Sequence, residues 1–216
     1  MRAVARWYDI STTISSELPV WPAFEPPRIE PIKRLAQGGS SNVSKLTMAT
    51  HTSSHVDAPL HCFDGATSVD ELPLELLIGE AYVVDMTGID LADVEDFEAL
   101  AIPEGVERLV IKTGASRVWE DGKTLDQPEP TFTLDAAHWI LDRGIRLLVV
   151  DGMSVGRGPE GDTVHKIFLR AGVPVVECLN LTAVQAGRYE LVCMPLKLKR
   201  TDGAPARVAL YGPLEE

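Results

Sequence analysis

Histidine is scarce in this chain of 216 residues: there are five, and three fall within HTSSHVDAPLH, residues 51 to 61. An aspartate stands among them. His51, His55, Asp57 and His61 offer imidazole nitrogens and a carboxylate, a donor set without thiolate that suits zinc and also manganese. All four positions are odd, so in an extended chain they would share one face. Fully extended, the outer two would stand about 33 Å apart, too far for one site, so the chain must curl. Thr52, Ser53 and Ser54 are small and polar and can bond to nearby backbone. A helix-like turn there would make His51 and His55 i, i+4 neighbours. Pro59 pushes Ala58 towards extended geometry. His55 and Asp57 would then lie on one side of a short extended segment, about 7 Å apart at the backbone. Side chains converging from that spacing can meet one ion through bonds of about 2.0–2.2 Å. The competing reading is a polar loop with capping histidines.

Two more residues carry the same kind of donor. His165 stands third in a helix if Asp162 is its N-cap; the positive helix end disfavours imidazolium, and a ligand must be neutral. Glu177 lies inside the apolar run VPVVECL. A carboxylate in a buried strand is costly unless it is paired or holds a metal, and a salt bridge with an arginine is the competing explanation. His138, in AAHWIL on an amphipathic helix, is read as structural. GRGPEG (156 to 161) matches GxGxxG before a helix. Five residues separate it from the preceding strand, however, and only about 55 follow, too few for a dinucleotide domain.

The elements that must position these groups follow from apolar patterning. Strands are expected at ARWYDIS (5 to 11), RIEPIKRL, SKLTMAT, EAYVVDM (80 to 86), RLVIKTG (108 to 114), IRLLVVDG (145 to 152) and VPVVECL (173 to 179). YELVCMPLKLK (189 to 199) and ARVALYG (206 to 212) finish the chain. Helices are expected at LPLELLIG (72 to 79), VEDFEALA (94 to 101), LDAAHWILDRG (134 to 144) and DTVHKIFLRAG (162 to 172), with Asp162 as N-cap and Gly172 as stop. ELPVWPAFEPP (17 to 27) is a proline-rich loop. Strands alternating with helices in the second half indicate an α/β fold with a strand-rich first third. No internal repeat and no linker long enough to divide two domains is seen, so residues 1–216 read as a single domain.

Composition narrows the function classes. A net charge of −12 lacks the basic stripe that neutralises phosphates, which argues against nucleic acid. Apolar runs such as LLVV are too short to span a bilayer, and the N-terminus has no apolar h-region, so no signal peptide is expected. Cys62, Cys178 and Cys193 show no CxxC spacing and read as small buried thiols of a reduced, cytoplasmic protein.

HTSSHVDAPLH resembles the HxGTHxDxPxH signature of the metal-dependent cyclase family, which includes bacterial kynurenine formamidases and isatin hydrolases. The resemblance extends over DISTTISSELPVWPAF, SVDELPLELLIGEAYVVDM, VDGMSVGRGPEGDTVHKIFLRAGVPVVECLNL and MPLKLKRTDGAPARVAL, nearly the whole chain. It implies a single-domain mixed sheet with flanking helices, the swivelling β/β/α-like fold of that family. It also implies that His51, His55 and Asp57 bind one divalent metal, with Asp57 bridging to a second completed by His165 and Glu177. His61 would be the proton donor and acceptor. Trp21, in VWPAF, would contact substrate, although a loop anchor packed on prolines would look the same. The implied reaction is hydrolysis of N-formyl-L-kynurenine to L-kynurenine and formate by a homodimer or higher oligomer. A cyclic amide or imide is the alternative substrate, and a non-catalytic metal-binding module a further one. Two departures stand out. The signature's Gly-Thr is Ser53-Ser54 here, and if that glycine has φ > 0, serine is strained there. The second block reads GPEGDTVHK rather than the DSK-like run of kynurenine formamidases, which leaves the substrate less determined than the metal site.

Overall fold

Leu147, Leu148, Val149 and Val150 are all buried, the pattern of a strand covered on both faces. The computed structural model, which describes residues 4–121, 131–156 and 161–215, shows what covers them. The first strands are β1 (Arg6–Asp9), β2 (Arg28–Lys33), β3 (Val43–Thr47) and the short β4 (His55–Asp57). Then come α1 (Leu74–Leu77), β5 (Ile78–Asp85), β6 (Leu91–Ala92), α2 (Val94–Ala99), β7 (Arg108–Lys112) and α3 (Arg117–Asp121). The rest are β8 (Thr131–Phe132), α4 (Leu134–Asp142), β9 (Leu147–Val150), α5 (Gly161–Arg170), β10 (Val175–Glu177), β11 (Gly187–Pro195) and β12 (Gly203–Gly212).

Eight strands pair in the order β1-β12-β11-β5-β7-β9-β10-β4, and β4 pairs again with β12. β5, β7, β9 and β10 run parallel; β4 is antiparallel to both its neighbours. This second pairing closes the mixed sheet into a barrel, with β1 added along the outer edge of β12. Alternation along the strands then sorts two cores. Val56, Val83, Val110, Val149, Val176, Leu191 and Leu210 join one cluster. Val84, Ile111, Leu148, Val150 and Val175, from the opposite faces, pack with Phe97, Ile140 and Phe168 of α2, α4 and α5. The α/β class is as the patterning requires, and the mixed sheet with flanking helices is as the resemblance implies.

Local chemistry sets the helix ends. The Thr133 hydroxyl accepts the Ala136 N–H at the start of α4, and Gly144 past its end takes φ 80°, as C-terminal stops do. α5 departs from expectation. It begins at Gly161, so Asp162 lies in its first turn rather than at its N-cap, and His165 stands fifth rather than third. Glycine is required at both flanks of the segment before it: a Cβ on Gly156 or Gly161 would strike the other's backbone. The two ends of GRGPEG close on each other there, while residues 157–160 lie outside the described residues. Cys178 and Cys193 are buried, but Cys62, just past a 3₁₀ turn at Pro59–His61, is only half-buried. Among the described residues no helix is long and apolar enough to cross a membrane.

Candidate active site

Strand register brings the first donors together. On β4, Val56 turns into the barrel, so His55 and Asp57 turn outward. β10 lies alongside with Glu177 opposite His55 and Val175 opposite Asp57. On the other side Gly203 of β12 lies opposite Asp57, and a side chain at Gly203 would strike the His51 ring and the Val56 carbonyl. α5 then sets His165 over the same spot.

The result is a cluster centred on Asp57, which is 1% exposed. Its Oδ1 lies 2.6 Å from His51 Nδ1 and 3.2 Å from His55 Nε2. Its Oδ2 lies 2.8 Å from His165 Nε2. Glu177 faces His55 Nε2 and His165 Nε2, each at 3.7 Å, and its Oε1 accepts the Val155 N–H at 2.8 Å. The groups beside Glu177 are therefore imidazoles rather than an arginine. His51, His55, Asp57, His165 and Glu177, from two segments more than a hundred residues apart, share one pocket.

The curl that joins His51 to His55 is not helical. Residues 50–54 form turns and bends, and Ser53 sits in the left-handed region at φ 64°. A left-handed residue reverses the chain in fewer steps than a helical turn. The Ser53 carbonyl accepts His55 Nδ1–H at 2.8 Å, which leaves Nε2 to face the carboxylates. His51 is held similarly: its Nε2–H donates to Asp202 Oδ2 at 2.7 Å, and Nδ1 faces Asp57. Each ring thus presents one nitrogen to the cluster and has the other tied back, the arrangement that orients metal ligands.

The charge state suits a cation. Burial by itself would lower the His51 and His165 imidazoles. For His51, Asp57 and Asp202 outweigh that and hold it at about 9; for His165, Glu177 and Asp57 do so, also at about 9. Burial would raise Asp57, but the imidazoles around it hold it well below 3.8. Glu177 is raised to about 7 by burial, with Asp57 adding repulsion. Protons on imidazole nitrogens satisfy the carboxylates here. A divalent cation among the same oxygens and nitrogens would do so with neutral rings, so the donor set fits one. His55, Asp57 and Glu177 bring ligand atoms within 4.8 Å of one another, as do His51, Asp57 and His61.

His61 is less buried than the others, with its side chain 32% exposed, and its Nδ1 is 3.8 Å from Asp202 Oδ2. Its ring lies 4.1 Å from the His51 ring and 5.4 Å from that of His165. Burial lowers its pKa, so it is neutral at pH 7. A cavity of about 210 Å³ opens over the cluster, and Trp21 and Phe24 of the proline-rich loop line it with His61 and Ser154. His138 is exposed on α4, away from this cavity. Sequence reasoning missed Asp202. It lies in the turn TDG between β11 and β12, where an aspartate reads as a turn former. The one available signal was its place just before a strand that has to run beside the ligand-bearing segment.

Comparison with known proteins places the chain. A family model described as "Putative cyclase" matches residues 8–157. A kynurenine formamidase of Bacillus cereus is 32% identical over 209 residues, 95% of this chain and 97% of that protein. A solved structure described as a "predicted metal-dependent hydrolase from Bacillus stearothermophilus" is 34% identical, with TM-score 0.82 over 97% of this chain and 99% of that one. An isatin hydrolase bound to the product analogue thioisatinate matches with TM-score 0.85 at 19% identity, over 97% of this chain and 93% of that one, a likeness of fold alone.

Proposed function

Because the chain belongs to the cyclase family, we propose that it is a metal-dependent hydrolase of aryl formamides, with N-formyl-L-kynurenine as foremost substrate. The products are then L-kynurenine and formate. The observation that carries this reading is the convergence of three imidazoles and two carboxylates on one buried point beneath an aromatic-walled cavity. In this reading His51, His55, Asp57, His165 and Glu177 would hold the divalent cations, two per subunit and zinc or manganese, that the reaction needs. Such cations lower the pKa of water to about 7 and polarise a carbonyl.

The chain's own residues supply the remainder. Trp21 and Phe24 stack on the aryl ring and turn the formamide inward. Neutral His61 takes the proton that the attacking water gives up and delivers it to the leaving aryl nitrogen. One water is consumed, the C–N bond breaks, and amine and formate leave. Asp202 Oδ2, 3.8 Å from His61 Nδ1, is too far for a hydrogen bond, but its charge favours a proton on that nitrogen and so a free nitrogen on the other side. As partner we assign a second copy of the chain. The hairpin of β2 and β3 leaves Ile29, Ile32, Val43 and Leu46 exposed, and apolar groups so grouped are characteristic of protein interfaces.

The test is a substrate panel with metal-loaded protein: formate release from N-formyl-L-kynurenine against ring opening of isatin. Higher kcat/KM on the formamide is expected. Ring opening without formate release would replace the substrate assignment with a cyclic amide.

A further inference from the structure

Two residues beside the proposed ligands adopt left-handed backbone without being glycine. Ser53 (φ 64°) lies between His51 and His55, and Cys178 (φ 63°) directly follows Glu177. Glycine enters this region without steric cost; other residues persist there only when their surroundings over-determine them. For Ser53 the surroundings converge on Thr12, a buried residue in the segment after β1.

Ser53 Oγ donates to the Thr12 carbonyl at 3.0 Å, so it accepts from the Thr12 hydroxyl at 2.7 Å. Thr12 Oγ1 in turn accepts the Ser54 N–H at 3.1 Å. The Thr12 N–H donates to Ser54 Oγ at 2.8 Å, and Ser54 Oγ donates to the Cys178 carbonyl at 2.8 Å. Every hydroxyl in this set donates once, and the directions are mutually consistent. Ser54 thus ties the loop bearing His51 and His55 to the residue after Glu177, and Thr12 grips both Ser53 and Ser54 from the other side.

We propose that Thr12 is a positioning residue for the metal site: it holds Ser53 left-handed and so fixes where His55 points. This inference rests on the metal-hydrolase reading. The link is the Ser53 carbonyl, which takes His55 Nδ1–H. If Ser53 relaxed to negative φ, that carbonyl would swing away and His55 would lose both its fixed tautomer and its aim at Asp57 and Glu177.

The experiment measures Zn²⁺ affinity of the full chain by chelator competition. Thr12→Val is expected to weaken Zn²⁺ binding about 10- to 100-fold, the usual effect of removing a group that orients a ligand. Thr12→Ser, which keeps the hydroxyl, should bind within a few-fold of the unaltered chain. Ser53→Gly should also bind normally, because glycine takes φ 64° freely, and should recover most of the loss when combined with Thr12→Val. Ser53→Ala keeps the Cβ but loses the tie, so it should resemble Thr12→Val. That contrast between alanine and glycine holds even if Thr12→Val does not fold. Equal Zn²⁺ affinity for Ser53→Ala and Ser53→Gly, or normal affinity in Thr12→Val, overturns the role of Thr12 alone. An unaltered chain that binds no Zn²⁺ overturns the metal reading and this inference with it.

Discussion

Asp202 accepts a hydrogen bond from His51 at 2.7 Å although 151 residues separate them, and this contact decides which nitrogen of His51 faces Asp57. A carboxylate behind a ligating imidazole fixes its tautomer and raises its basicity. Asp202→Ala is therefore expected to lower divalent-metal affinity about 10- to 100-fold. Asp202→Asn, which keeps an acceptor oxygen, should lose less. Chelator competition on both variants checks this; equal losses would mean that the acceptor oxygen is not what matters.

His61 lies over the cluster without joining its shortest contacts, so its removal should separate binding from chemistry. His61→Ala should retain metal and lose about 10²- to 10⁴-fold in kcat. Metal analysis beside formate release measures both. Loss of metal along with activity would move His61 from the proton-handling group into the ligand set.

The pKa pattern predicts opposite pH slopes for the Tm of metal-free protein and for the gain in Tm on adding metal. Burial alone would lower His51 and His165, but Asp57 and Asp202 around the first, and Glu177 and Asp57 around the second, raise them from 6.5 to about 9. Between those values the folded chain binds more protons than the unfolded one. Stability from these contacts is complete below pH 6.5 and lost as pH rises through about 9. Glu177, raised by burial from 4.5 to about 7, gives a slope of the same sign at lower pH. Metal-free protein should thus show a falling Tm from pH 6.5 to pH 9. Metal binding needs neutral imidazoles and releases protons, so the gain in Tm on adding metal should grow across the same window. A metal-free Tm that rises with pH would contradict the charge assignment.

Much of this site was legible because its residue types are rare. Five histidines in the chain, three of them crowded with Asp57, left little room for coincidence, and Glu177 was conspicuous inside an apolar strand. The barrel closure was not legible. β4 has three residues, too few for any periodicity, and its pairing with β12 depends on contacts across the whole chain. The left-handed turn at Ser53 was foreseeable only as a strained position, because the hydroxyls that hold it come from Thr12, 41 residues earlier. Asp202 was hidden for a related reason: turn aspartates are common, and only the fold reveals which one backs a histidine. The place of His165 two residues further into α5 goes with a close approach of Gly156 and Gly161, which no capping rule encodes.

Trp21 lines the cavity and is 38% exposed, and in the proposed reaction it would bind substrate without touching the proton path. Trp21→Ala should raise KM for the aryl formamide with kcat little changed, the pattern of lost uniform binding. Steady-state kinetics decide it. A fall in kcat with KM unaltered would mean that Trp21 acts on the bond-breaking step.

The most direct measurement of the central claim is metal content beside formate release for the unaltered chain and for Asp57→Ala. Asp57 touches His51, His55 and His165 at once. The unaltered chain should carry divalent metal and release formate, while Asp57→Ala should carry almost none and be inactive. Asp57→Ala protein that still holds stoichiometric metal and still turns over the formamide would contradict the account.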